Sequence, residues 1–166
     1  MAVVTKYGTG YRDPTSLKAI DAISRGAELR VIKSRASIAN GDNSGSLYYL
    51  GSLPSNAKIN PGATLWCTAI TGVSSAKLGF YYPNGGAKIL DTALFSGQTL
   101  ASATSVTMAA AANSGIATPA NMDKFVWQLA GLSADPGGEL DLVLTTAADA
   151  SAAGDVWLEL SYAKGV

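Results

Sequence analysis

Glu139-Leu-Asp-Leu-Val-Leu-Thr-Thr146 alternates apolar and polar side chains, and Asp155-Val-Trp-Leu-Glu-Leu-Ser-Tyr162 repeats the pattern. A period of two sends one set of side chains to a buried face and the other toward water, which is the signature of a β-strand. The same reading covers Glu28–Ile38, through Leu29, Val31 and Ile32 with a phase slip at Lys33 and Arg35. It also covers Ala76–Tyr82, through Leu78, Phe80 and Tyr82. Ser46–Leu53 and Ala63–Ile70 are short apolar runs, and weaker strand character surrounds Lys88–Leu90, Val106 and Met108. Between these runs lie Asn40–Gly45, Pro54–Gly62, Pro83-Asn-Gly-Gly86 and Asp135-Pro-Gly-Gly138, whose residues tolerate the backbone angles of tight turns. About eight short strands with turns between them describe a sandwich or barrel, and no internal repeat points to a propeller or solenoid. The expected fold is all-β: a two-sheet, jelly-roll-like β-sandwich over residues 28–166.

Two stretches depart from this pattern. Residues 1–27 show little periodicity and read as an extended N-terminal arm, in which Thr15 can cap a short helix ending by Gly26. That helix would carry Leu17, Ile20 and Ile23 on one side. Asn121–Leu132 has helical spacing, with Met122, Phe125, Val126 and Leu129 on one face, Asn121 as a cap and Gly131 at the end.

Charge makes up only 14% of the chain, against about 25% in ordinary soluble domains, so small polar residues and alanine must finish the surface. Such a surface suits packing against other copies or another protein. Net charge is zero but uneven. Residues 1–40 carry seven cations and three acids, whereas residues 135–166 carry six acids and Lys164. The simplest explanation is that the first and last strands lie side by side and pair their charges. The alternative is a basic arm that reaches an acidic neighbour. Four arginines and eight lysines, scattered, make no phosphate track, so no nucleic-acid partner is expected. There is no apolar run of 18 residues for a membrane span, and the first residues lack a secretory-signal layout.

The chain has no histidine and one cysteine, Cys67, which sits in an apolar run and is expected to be a buried, inert thiol. Histidine-based triads and zinc sites therefore cannot be built. Asp135, Glu139 and Asp141 cluster, as do Asp149 and Asp155, but Asp141 alternates with core leucines and should face solvent. Asn40–Gly45 has oxygen ligands at short spacing yet lacks the closing glutamate of a helix-loop-helix calcium site. No enzyme activity, cofactor or metal is expected. Trp66, Trp127 and Trp157 lie in apolar runs and read as core or sheet-packing residues. Tyr81 and Tyr82, beside a turn, are better candidates for an exposed contact, as are Tyr48 and Tyr49.

Three segments carry a resemblance: Tyr7-Gly-Thr-Gly-Tyr-Arg-Asp-Pro14, Ser37–Pro54, and Trp127–Leu142 with its Asp-Pro-Gly-Gly turn. The chain resembles capsid cement or decoration proteins of tailed bacteriophages. The resemblance implies a jelly-roll-like sandwich made in the host cytoplasm that sits on the outer capsid surface of the virion. It also implies a homo-oligomer, dimer or trimer, that bridges subunits of the major capsid protein. The expected contact residues are Val3, Val4, Tyr7, Tyr11 and Arg12 in the arm, with Tyr81 and Tyr82. The rival expectation is a carbohydrate- or receptor-binding sandwich of a phage fibre or tail component, since the same fold serves lectins. Buried tryptophans would count against that rival.

Overall fold

The computed structural model describes residues 28–164; residues 1–27 and 165–166 lie outside the described residues. The strands are β1 (Leu29–Ile38), β2 (Leu47–Pro54), β3 (Lys58–Ile59), β4 (Thr64–Cys67), β5 (Ala76–Tyr81), β6 (Lys88–Gln98), β7 (Thr104–Thr107), β8 (Glu139–Thr146) and β9 (Gly154–Ala163). Two helices of one turn each, α1 (Pro119–Met122) and α2 (Val126–Leu129), lie between β7 and β8.

The pairing is nested. Strand β1 pairs with β9, β2 with β8, β4 with β7 and β5 with β6, all antiparallel, so the chain is a long hairpin with its tip between β5 and β6. The hairpin rolls up because β4 also pairs with β9, and β5 with β8. One sheet then runs β1-β9-β4-β7 with the short β3 beside β9, and the other runs β2-β8-β5-β6. This is the jelly-roll form of a β-sandwich. The expected fold class holds, with β3 as an extra strand inside the Pro54–Gly62 connection.

Alternation decides what faces inward. From the first sheet Leu65, Cys67, Val156, Leu158 and Leu160 enter the core, and from the second Leu78, Phe80, Leu140, Leu142 and Leu144 meet them. Most of these side chains are fully buried, and each contributes about 1.5–3 kcal/mol relative to an exposed position.

At one end the loops after β1, β4 and β8 are stitched by backbone hydrogen bonds. Gly41 N–H donates to Ala150 O at 2.8 Å, Gly45 N–H to Thr146 O at 2.7 Å and Ser151 N–H to Thr71 O at 2.8 Å. At the other end, Val126 N–H donates to Ala57 O (2.8 Å) and Trp127 N–H to Ser55 O (3.0 Å), tying α2 to the connection before β3. Those two bonds explain why the helix expected over Asn121–Leu132 is split. Phe125 takes an extended backbone, its N–H is capped by Gln128 Oε1 at 2.9 Å, and the next two N–H groups are spent outside the helix. Asn121 lies within α1 rather than capping it, and its Nδ2 donates to Gly115 O at 2.6 Å. Gly131, with φ of 77°, follows the last turn as expected.

Candidate interaction surfaces

Among the described residues, cations of β1 pair with acids of β9, as the strand-pairing explanation expects; Lys6, Arg12, Lys18 and Arg25 lie outside the described residues. Strands β1 and β9 are neighbours, with Lys33 opposite Glu159 and Ser37 opposite Asp155. Lys33 Nζ lies 3.1 Å from Glu159 Oε2. Arg35 grips Asp155 with two bonds, Nε to Oδ1 at 3.1 Å and Nη2 to Oδ2 at 2.7 Å, while Ser37 Oγ donates to Oδ1 at 2.6 Å. Hydrogen bonds from Arg35 and then Ser37 hold the Asp155 carboxyl below the ordinary aspartate range.

The outer face of this sheet carries the main aromatic feature. Because Leu65 and Cys67 point inward, Trp66 points outward; because Val156 and Leu158 point inward, so does Trp157. The register sets Trp66 directly opposite Trp157, Trp157 opposite Arg35 and Trp66 opposite Ser105. A row Arg35–Trp157–Trp66–Ser105 therefore crosses β1, β9, β4 and β7. The Arg35 guanidinium carbon sits 5.4 Å from the centre of the Trp157 ring, within cation–π range. Trp66 is 39% exposed, Trp157 half-buried, and an open depression of about 550 Å³ lies over them, flanked by Lys33 and Glu159. Of the expectation that these two tryptophans are core or sheet-packing residues, the core half is corrected: they are cross-strand partners within the sheet, but strand phase turns them to its outer face. The signal was present in the alternation that placed Val156 and Leu158 together.

Tyr81 is corrected in the other direction. It is 6% exposed, with its hydroxyl 3.4 Å from Thr145 Oγ1, and two residues before it the backbone of Leu90 and Asp91 closes against β5 at Gly79. Asp141, expected in solvent, is also buried on that outer side and accepts a bond from Ser52 Oγ at 2.7 Å. Tyr82 and Tyr49 are exposed as expected, at 41% and 45%. Tyr82 flanks the turn where Asn84 and Gly85 take left-handed backbone angles. Tyr48 is half-buried and donates to Asp42 Oδ2 at 2.7 Å. Burial and then that bond push its hydroxyl up to about 12, while the same bond and the Ala39 N–H pull Asp42 down. Val3, Val4, Tyr7, Tyr11 and Arg12 lie outside the described residues.

Of the clustered carboxylates, Asp135, Asp141, Asp149 and Asp155 have structural partners. Asp149 Oδ1 accepts from Ser44 N–H at 2.6 Å and Asp135 Oδ1 from Gly137 N–H at 2.9 Å. Among the described residues no three His, Cys, Asp or Glu side chains are grouped to hold a metal ion. Cys67 is buried, and burial raises its thiol above the ordinary range.

No family model matches the sequence, and no curated protein does. Two solved structures share the fold across nearly the whole chain. One is a chain of the capsid of Ralstonia phage GP4, 16% identical, with a TM-score of 0.58 and 95% of each chain covered. The other is a chain of the cyanophage Pam1 capsid asymmetric unit, 15% identical, with a TM-score of 0.53, covering 98% of this chain and 99% of that one. At such identities the likeness establishes a common fold, and the chain is similar to these two phage capsid chains end to end.

Proposed function

We propose that this protein is a non-enzymatic virion component that binds the outer surface of a phage capsid and stabilises it by bridging neighbouring major capsid protein subunits. The observation that carries the reading is the end-to-end fold match with chains from two phage capsids. A protein that binds only the assembled lattice stabilises that lattice by mass action. Contacts repeated by symmetry favour a dimer or trimer at a capsid axis. The proposed contact residues are Val3, Val4, Tyr7, Tyr11 and Arg12, with exposed Tyr82; buried Tyr81 is withdrawn from the set. The test is co-sedimentation of the purified protein with capsids lacking it, followed by cryo-electron microscopy. Stoichiometric density on the outer lattice is the expected result, and removal of residues 2–14 should abolish it. Absence of binding by the full chain overturns the reading.

The second reading, a glycan- or receptor-binding component of a fibre or tail, gains one observation. The exposed Trp66 and half-buried Trp157, flanked by polar groups, offer the flat apolar surface that stacks against a sugar ring. A glycan-binding screen decides it, with Trp66→Ala as the control that should lose any binding found.

A further inference from the structure

A track of exposed apolar side chains, interrupted by Lys33 and Arg35, runs along the outer face of the first sheet and begins where the described chain begins. Its first part is a depression of about 270 Å³ lined by Leu29, Met122, Lys58, Asp123 and Ala163. Leu29 is 62% exposed, Val31 51% and Met122 52%, which are high values for side chains of this size. Val31 continues the track on the same face of β1, two residues on. Lys33 and Arg35 follow on that face and lead to the depression over Trp157 and Trp66. Strand rise sets the distance from Leu29 to the Trp157 row, six residues, at about 20 Å.

The chain preceding Glu28 fits this track in length, direction and chemistry. It contains 27 residues and ends beside Leu29. Thirteen of them, 15–27, span up to about 43 Å when extended, and about half that with a helical stretch, so they can cover the track and turn back into β1. The reversal this course requires is open to a glycine, and the sequence has one at position 26. Leu17, Ile20 and Ile23 recur at a spacing that faces one side, and Tyr7 and Tyr11 precede them by the further length needed to reach the indoles. Arg12 is available to stack on Trp66, which has no such cation among the described residues, as Arg35 stacks on Trp157.

We propose that residues 7–27 of the same chain lie along this track in the free protein, with Leu17, Ile20 and Ile23 over Leu29 and Val31, and Tyr7 and Tyr11 against Trp66 and Trp157. Tethering favours the chain's own segment over that of a second copy, because a short linker holds it at an effective concentration in the millimolar range. The proposal concerns the protein in solution and stands independently of capsid binding. Where the capsid reading also holds, the arm has two alternative seats, and docking on a lattice must exchange one for the other.

The test uses the full chain carrying Thr9→Cys and Cys67→Ala, with a paramagnetic label on the new thiol. The indole N–H signals are observed by ¹⁵N nuclear magnetic resonance and assigned with Trp66→Phe and Trp157→Phe variants. The expected result is that the Trp66 and Trp157 signals lose most of their intensity, and recover it when Tyr7 and Tyr11 are replaced by serine. Undiminished signals overturn the proposal and leave the track to a glycan or a protein partner. Loss of signal in ¹⁵N-labelled, unmodified protein mixed with spin-labelled, ¹⁴N protein overturns the same-chain assignment in favour of arm exchange between copies.

Discussion

The two sheets of the sandwich share one core but finish their outer faces in opposite ways. In the β2-β8-β5-β6 sheet the row Tyr49–Val143–Gly79 crosses the middle, and Val143 is fully buried although it points away from the core. The cause is Gly79. A side chain there would run into the carbonyl of Leu90 and the backbone of Asp91, so its absence lets β6 lean across the face, where Asp91 also meets Lys77 at 3.5 Å. Tyr81 and Asp141 fill the adjacent row. In the β1-β9-β4-β7 sheet the corresponding row is Arg35–Trp157–Trp66–Ser105, nothing among the described strands folds over it, and Trp66 stays open. One face is closed by the protein's own backbone; the other presents indoles and guanidinium, the groups most enriched at binding hot spots. The difference lies in which outer face the described strands cover with their own backbone.

Substitutions that reopen the closed face should have the largest effect. Gly79→Val forces a side chain into the β6 backbone, and Val143→Asp buries a carboxylate without a partner. Each is expected to destabilise the fold by about 3 kcal/mol or more. Ser105→Asp on the open face should change stability by less than about 0.5 kcal/mol. Urea unfolding of the three variants checks this. Comparable losses on both faces would mean that the open face is structurally covered too.

This contrast was only partly legible in the sequence. Strand phase was legible, and so was the β1–β9 neighbourhood, because opposite charges at the two ends of the chain pair across adjacent strands. The outward tryptophans were legible in the same phase but masked by the habit of assigning large apolar residues to cores. What could not be read was the bend of β6. Gly79 within a strand signals only a close approach of something, and the approaching backbone is eleven residues away through a turn. The split of the predicted helix is of the same kind, since Val126 and Trp127 spend their N–H groups on Ala57 and Ser55, distant carbonyls that no local pattern announces.

Titration sharpens the comparison next. Asp155 on the open face and Asp42 at the stitched end both have lowered carboxyls in the folded protein. As pH falls, the unfolded chain takes up protons first, so their contribution is present above the ordinary aspartate range and is lost as pH drops through the folded values. Asp155→Asn should flatten the acid side of the stability profile, and Asp42→Asn should flatten it too. At the alkaline end Tyr48 acts with opposite sign. Its hydroxyl is raised from 10.0 to about 12, so its contribution is full below pH 10 and is lost between there and about 12. Tyr48→Phe should remove that alkaline loss. Denaturation midpoints measured across pH check all three variants.

The smallest expected effect is the most informative about the open face. Trp66 and Trp157 are direct cross-strand partners, and such aromatic pairs contribute about 0.2–1 kcal/mol beyond alanine. A double-mutant cycle with Trp66→Ala and Trp157→Ala should therefore give a coupling below about 1 kcal/mol. Trp66→Ala alone should cost far less than the loss of a core residue such as Leu158, for which alanine costs about 2–5 kcal/mol. A larger coupling would make the indole row a structural clasp between β4 and β9 and its exposure incidental. A small one means that the indole row returns little to the folding of the sandwich itself, which is what a surface that seats another segment, the chain's own residues 7–27 first among them, should show.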